Sequence, residues 1–348
     1  IMDKKVVRLG IIGCGEMAEY RLKTINNAEK IEVTAVCDMW KDKAEKVASH
    51  FENVYVTTDY QTMVDYVDAV YIAVPNDYHY TISRYFARNK KHILVESPMC
   101  VWDEEAEQLI DVCKGENVKI MCAFPARFRP GIRKLKELLS TGTYGKAFMM
   151  SMWAEEQAKY DELHWTATNR LGGNQFFSEG GQYLDVMMWY LGDPVTGSYM
   201  GTNVGTDWML DEGTGTAKLA FENGAIGYIC TSWGMMGTHL GKNIQLHTEG
   251  GMFDFDFETG ELRIYDQLLV HRPGETFNRS YTVLYNEDME EVKNTPYEFN
   301  HFAECILTGK TPETDGYSAM QVQKAIWKMI DADKHNVMAD LKGIAFKK

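Results

Sequence analysis

The residues best suited to chemistry lie near the start of the chain. Leu9-Gly10-Ile11-Ile12-Gly13-Cys14-Gly15-Glu16-Met17-Ala18 reads G-x-G-x-x-A, with an apolar run before it and a helix-like stretch after it. Gly13 allows a tight turn, Gly15 lets the backbone approach a pyrophosphate, and Ala18 permits close helix–strand packing. The phosphates then sit on the helix N-terminus, at Glu16-Met17-Ala18. A second apolar run ends in Asp38, where a carboxylate can bind both ribose hydroxyls and repel a 2′-phosphate. No Arg follows Asp38 directly, which favours NAD over NADP, although Lys41 is close by in sequence. The competing role for Asp38 is a helix N-cap. Seven cysteines (Cys14, Cys37, Cys100, Cys113, Cys122, Cys230 and Cys305) form no CxxC pair and mostly sit inside apolar runs. They read as reduced core thiols rather than metal ligands. With no HExxH and no zinc-ligand spacing, no metal is expected.

These residues need elements to hold them. Val6–Ile12, Ile31–Cys37, Ala69–Val74, His92–Val95 and Lys119–Ala123 are short and apolar on both faces, as buried parallel strands are. Met17–Ile25, Asp42–His50, Tyr80–Arg88 and Glu104–Cys113 alternate with them as helices, the last with Asp103 as expected N-cap. This order predicts an α/β Rossmann domain, a doubly wound parallel sheet, over 3–124. After about Phe124 the pattern changes. A helix is expected at Ile132–Leu139, then alternating runs at Ala147–Trp153, Thr214–Phe221, Ala225–Trp233, Asn243–Thr248 and Glu261–Tyr265. The pairs Asn223-Gly224 and Thr259-Gly260 mark turns. Further helices are expected at Gly181–Leu191, Glu298–Leu307 and Ser318–Asp333. Residues 125–348 therefore read as an α+β substrate and oligomerisation domain, with an open, mainly antiparallel sheet and helices on one face.

Composition sets outer bounds. The 348 residues carry 36 Lys and Arg against 50 Asp and Glu, a net charge of −14. Such a surface repels phosphate backbones and anionic lipid, so neither nucleic acid nor membrane is expected as a partner. No apolar run is long enough to span a bilayer. No signal-peptide pattern opens the sequence, and a cytoplasmic location is expected.

Taken with its other motifs, the chain resembles the glucose–fructose oxidoreductase and inositol dehydrogenase family (Gfo/Idh/MocA). Ala73-Val74-Pro75-Asn76-Asp77-Tyr78-His79 is similar to that family's (T/V)-P-N-x-x-H segment. Lys91-His92-Ile93-Leu94-Val95-Glu96-Ser97-Pro98 stands where the family has K-H-V-x-x-E-K-P, and Arg127-Phe128 resembles its R-F element. Glu179-Gly180-Gly181-Gln182-Tyr183-Leu184-Asp185 resembles an E-x-x-H-x-x-D helix start, and Trp189-Tyr190-Leu191-Gly192-Asp193-Pro194 fits W-x-L-G-x-P. His301-Phe302-Ala303-Glu304-Cys305-Ile306 and Gly309-Lys310-Thr311-Pro312 match the late helix and turn. The resemblance implies NAD(P)-linked redox chemistry on a sugar or polyol. It also implies cofactor contacts from Val74, Pro75, Asn76, His79, Glu96, Ser97 and Arg127, and a homo-oligomer, dimer or tetramer, assembled through the C-terminal sheet.

Two departures bear on the reaction. The family's acid/base Lys is Ser97 here, and its His is Gln182. Oxidising a carbinol sends a proton to a base that works best with a pKa near the working pH, and neither replacement titrates there. Gln182 can still hydrogen-bond a hydroxyl or carbonyl. His164 is the leading replacement base, with Tyr160, Lys159 and Tyr183 behind it. Glu179 is expected to cap its helix, or else to face substrate. His79 is expected to buttress the cofactor loop. Trp165, Phe176-Phe177 and Trp233 offer either core packing or stacking on a sugar. The leading function is an NAD-dependent carbohydrate oxidoreductase with relocated acid/base groups. The alternatives are a silent or regulatory homologue that binds without turnover, and a lyase or glycosidase working by transient oxidation.

Overall fold

The computed structural model describes residues 6–160, 164–168, 174–266, 280–290 and 296–346. The chain folds as two compact units, one of Ile1–Pro125, Lys293–Lys324 and Phe346–Lys348, the other of Ala126–Val292 and Ala325–Ala345. The expected division at 124/125 was linear; the compact units are not, because a late segment returns to the first.

The first unit is built on β1 (Val7–Ile12), β2 (Ile31–Cys37), β3 (Tyr55–Thr57), β4 (Ala69–Ile72), β5 (His92–Glu96) and β6 (Ile120–Ala123), in the order β3-β2-β1-β4-β5-β6. Every pairing is parallel. Strands covered on both faces need apolar side chains on both, and β4 and β6 are buried at every position. Helices Glu16–Asn26, Lys41–Ala48, His79–Arg88 and Asp103–Gly115 connect them. Asp103 is not the cap it was expected to be. Trp102 is the N-cap, without a side-chain bond. Glu105 instead takes the backbone N–H groups of Trp102 and Val101. The strand β3 was missed, being only three half-buried residues long. The returning helix, Tyr297–Thr308, packs on β1, β2 and the helix Glu16–Asn26 through the buried Phe299, Phe302 and Ala303.

The second unit carries a nine-stranded sheet. Its strands are β7 (Ala147–Glu155), β8 (Pro194–Thr202), β9 (Thr214–Phe221), β10 (Ile226–Ser232), β11 (Lys242–Thr248), β12 (Gly251–Asp256), β13 (Glu261–Tyr265), β14 (Thr282–Asn286) and β15 (Ala339–Asp340). They run β14-β13-β12-β11-β7-β10-β9-β8-β15, antiparallel except for β7 and β10, which are parallel. The strands unforeseen from sequence are β8, which starts at Pro194 and holds Gly197 and Gly201, along with β12, β14 and the two-residue β15. Asn223-Gly224 and Thr259-Gly260 do turn the chain between β9 and β10 and between β12 and β13, with Gly224 and Gly260 at positive φ. Helices Pro130–Ser140 and Gly180–Leu191 pack on this sheet. All seven cysteines are buried and none is in a disulfide.

Candidate functional site

Each unit gathers candidate residues at one end of its sheet. In the first, β1 delivers the chain into the glycine turn. Gly13 lies at φ +91°, and a Cβ there would sit 2.2 Å from the Ala73 carbonyl oxygen, so no other residue fits. Gly13 N–H donates to Cys37 O (2.9 Å), pinning the turn to β2. At Gly15 the demand is different: a Cβ would meet nothing within 4 Å. The fold leaves Gly15 space it does not use. The helix Glu16–Asn26 that follows has no side-chain cap, so its N-terminal amides and dipole are left for an anion. Ala18 is buried, as helix packing requires.

Asp38 locks this turn. Its Oδ2 accepts from Cys14 N–H (2.7 Å) and its Oδ1 from Trp40 N–H (2.8 Å). The N-cap of the helix Lys41–Ala48 is Trp40, so Asp38 caps nothing directly; it joins two loops. Each carboxylate oxygen keeps a further lone pair for a hydroxyl donor. This is the arrangement a dinucleotide needs: open backbone for phosphate and an acceptor for ribose.

Pro75 leads into a short 3-10 turn, Asn76–Tyr78, and Asn76 is buried. His79 is fully buried, with Nε2 at 2.8 Å from Val74 O and Nδ1 at 2.7 Å from Pro98 O. It ties the loop after β4 to the loop after β5. Burial holds its pKa below the usual histidine value, while the two carbonyls pull it upward. Glu96 belongs to a buried network: its Oε1 accepts from Tyr71 OH (2.5 Å) and Arg21 Nε (3.1 Å). Arg21 Nη2 also donates to Glu298 Oε2 (2.6 Å). Burial pushes the Glu298 carboxyl up, Arg21 pulls it back and Glu96 adds to the rise, leaving it at about 7. Sequence reading missed Arg21, Tyr71 and Glu298. The one available signal was an Arg on the core face of an amphipathic helix. Ser97, in a cis peptide bond with Pro98, is half-buried.

Arg127 falls in the second unit. Its guanidinium is buried in a bidentate pair with Asp185 (2.6 and 2.5 Å) and lies over the Trp189 ring. Its charge is thereby accounted for inside that unit.

The second cluster stands where β7 and β10 end and β9 and β11 begin, beside the first turn of the helix Gly180–Leu191. Its centre is Glu179. Glu179 is the N-cap residue of this helix, as expected, but its side chain makes no cap bond. Oε1 accepts from Tyr183 OH (3.0 Å) and Lys242 Nζ (3.1 Å), Oε2 from Gln175 Nε2 (2.8 Å) and Trp233 Nε1 (3.2 Å). Four donors on one carboxylate fix both oxygens. Lys242 also pairs with Glu156 (3.1 Å). Burial opposes its charge, but Glu179 and Glu156 outweigh burial and hold the ammonium form well above the ordinary range. Lys242, Gln175 and Glu156 had escaped notice, being scattered over three elements.

Tyr160 stacks on His164 (ring centroids 4.3 Å apart) and meets Trp233 edge-on (5.9 Å). His164 Nδ1 lies 2.7 Å from Thr166 Oγ1, and Trp165 packs beside the His164 ring. Lys159 is exposed, while Gln182 is half-buried. Asp161-Glu162-Leu163, in the same loop, lie outside the described residues. Phe176 and Phe177 are core residues, packed on Tyr199 and Trp327. Among the described residues no group of three or more His, Cys, Asp or Glu side chains is placed to hold a metal, and no helix is long and apolar enough to cross a membrane.

A six-stranded parallel sheet with an uncapped glycine turn defines a dinucleotide-binding type of fold. The comparison with known families is specific. Residues 7–124 match the oxidoreductase family model described as the NAD-binding Rossmann fold of Gfo/Idh/MocA proteins, and residues 132–254 match the C-terminal domain of the same family. The chain belongs to the Gfo/Idh/MocA oxidoreductase family, and its first unit is that family's NAD-binding fold. It is 27% identical to a D-xylose 1-dehydrogenase [NADP(+)] of Haloarcula marismortui, covering 89% of this chain and 86% of that one. It is 25% identical to a scyllo-inositol 2-dehydrogenase (NAD(+)) of Bacillus subtilis, covering 88% of each. The structure superposes with TM-score 0.85 on a levoglucosan dehydrogenase solved with NADH and L-sorbose, at 18% identity over 97% of this chain and 99% of that one.

Proposed function

We propose that this chain is an NAD-dependent oxidoreductase of a sugar or polyol, with its proton acceptor moved to His164. The observation that carries this is the second-unit cluster itself. Half-buried polar groups, Gln182 among them, stand beside aromatic rings around a carboxylate whose two oxygens are already fixed, which suits a polyhydroxylated ligand. Relatives named as xylose and inositol dehydrogenases support the same substrate class. When bound, NAD supplies the hydride acceptor, and Asp38 favours NAD over NADP by repelling a 2′-phosphate.

The chain's own residues do the rest. His164, whose Nδ1 is anchored at Thr166 (2.7 Å from Oγ1, and accepting from the Thr166 N–H at 3.4 Å), takes the proton of the hydroxyl being oxidised. Tyr160, stacked on the ring, sets its plane. Gln182 hydrogen-bonds a neighbouring hydroxyl. Tyr183 and Glu179 hold the wall of the site, and Trp165 backs His164. Ser97 contributes a hydrogen bond but no proton acceptance. In the first unit Gly13, Gly15, Glu16, Met17 and Ala18 take the pyrophosphate, and Val74, Pro75, Asn76, His79 and Glu96 form and brace the neighbouring loops. Assembly through the nine-stranded sheet is part of the same reading and is checked by sedimentation.

The test is absorbance at 340 nm with NAD and a panel of pentoses, hexoses and inositols. Turnover is expected, and His164→Gln lowers kcat about 10²–10⁴-fold. A panel without NADH formation, or an unaffected His164→Gln, sinks this reading. The non-titrating Ser97 and Gln182 favour a second one, a binding homologue without turnover. Saturable sugar binding with no NADH would establish it, whereas NAD released on denaturation beside a cleaved glycoside would point to transient oxidation.

A further inference from the structure

We propose that Trp208, in the loop joining β8 to β9, is the platform that selects the ligand of the second-unit site. It takes the C–H face of a neutral sugar ring or cyclic polyol. The inference rests on the sugar or polyol reading above and adds a residue and a ligand class to it.

Trp208 is brought to the cluster by a tightly held loop. Thr206 is fully buried and Met209 is 4% exposed, so the residues flanking Trp208 anchor in the core while its own ring stays half in solvent. Thr206 N–H donates to Asn203 O and Met209 N–H to Thr206 O, both at 2.9 Å. The base of the loop is closed by Trp233 N–H donating to Gly213 O (2.9 Å). Gly213 has no room for a side chain, since a Cβ would lie 2.4 Å from Thr206 Cβ. The loop therefore has one packing, and that packing presents an indole ring to solvent.

The ring is aimed at the cluster. Trp208 lies nearly parallel to Trp233 (interplanar 19°, centroids 6.3 Å apart) and meets Tyr160 edge-on at 5.6 Å. Trp233 is also the indole that donates to Glu179, and Tyr160 is the ring stacked on His164. One continuous aromatic wall thus runs from Trp208 to the groups proposed to touch the reacting hydroxyl. Leaving a rigidly mounted indole half-exposed forgoes apolar burial, and a stacked ligand restores it. A sugar ring with equatorial hydroxyls shows the wall a face of C–H bonds and turns its oxygens to the polar groups at the rim.

Charge narrows the class. Asp207, Asp211 and Glu212 share the loop, and Glu156 and Glu179 lie in the cluster, where Lys242 is already paired with both. This surplus of carboxylates repels phosphorylated and acidic sugars and tolerates neutral ones.

The experiment measures ligand binding by calorimetry on the NAD-saturated protein and records NADH in parallel. The probes are scyllo-inositol, methyl β-D-glucopyranoside and D-glucuronate. Wild type is expected to bind a neutral probe and to discriminate against glucuronate. Trp208→Ala should weaken neutral binding about tenfold or more, and Trp208→Phe about threefold or less, with melting temperature recorded for both. Neutral binding unchanged in Trp208→Ala, or no binding of either neutral probe to wild type, overturns the proposal. Trp208-dependent binding without NADH sinks only the dehydrogenase reading. NADH formation with an unaltered KM in Trp208→Ala sinks only the platform.

Discussion

The two candidate clusters are made of different material. The cradle of the first unit is largely backbone: a glycine at φ +91°, helix amides left uncapped, and loops pinned through carbonyl oxygens of Cys37, Val74 and Pro98. The cluster of the second unit is side chain throughout, drawn from β11, from the helical segments Gln175–Ser178 and Gly180–Leu191 and from the loops after β7 and β10. A backbone site depends on a few residues with special conformational freedom. A side-chain site depends on many residues, each replaceable alone. The first kind tolerates almost no change in the turn; the second changes specificity while the fold stays.

The largest expected effect separates two glycines of one turn. Gly13→Ala strains a positive φ and drives a Cβ into the Ala73 carbonyl, costing about 4 kcal/mol of stability in urea melts. Gly15→Val leaves stability nearly unchanged, because the fold does not fill that space, yet lowers NAD affinity about 100-fold in a fluorescence titration. If both variants melt alike, the contrast between fold-required and ligand-required glycine fails.

A smaller effect tests a buried side-chain network of the first unit. Glu298 has its carboxyl raised from 4.5 to about 7 by folding. The folded form therefore holds its proton more tightly, so the stabilisation is complete below pH 4.5 and is lost as pH rises to 7. The loss is about 3 kcal/mol. Glu298→Gln should flatten the stability–pH curve over that window relative to wild type; parallel curves would show that the carboxyl does not titrate as described.

Glu179→Gln tests the second cluster. An amide cannot accept from all four donors, so about 2 kcal/mol of stability goes, and Trp233 and Tyr160 lose their fixed positions. The expected kinetic signature is a raised KM with a smaller fall in kcat, read with whichever sugar turns over. The smallest effect is at Asp38. Asp38→Asn keeps one loop contact, because only its Oδ1 can accept an N–H, and removes the charge, shifting the NAD to NADP affinity ratio by about tenfold towards NADP.

What was legible from sequence follows the same division. Local patterns identified β1, β2 and the glycine turn because parallel buried strands are continuous apolar runs and because a turn needing glycine must show glycine. They missed β3 and β8, one too short and the other broken by Gly197 and Gly201. Asp38 was picked out from its place after β2, and the structure adds what spacing does not reveal, that both oxygens already serve the backbone. Glu179 does stand at the N-cap of its helix, as its helix-start position indicated, but its side chain is turned to other donors. Its real donors, Lys242, Trp233 and Gln175, are set by pairing across β7, β10 and β11, which periodicity does not encode. Trp208 went unnoticed for the same reason.

The contact between Arg21 and Glu298 has a temporal side. The two residues are 277 positions apart in sequence. At roughly 5–20 residues per second of synthesis, tens of seconds pass between them. During that interval the nascent first unit carries a cation bound for its core without one of its two carboxylate partners, and β1 and β2 without the helix Tyr297–Thr308 that covers them. The cofactor fold of this chain is finished by a helix made long after its first strands, so the growing chain must be kept from sticking to its neighbours until that helix arrives.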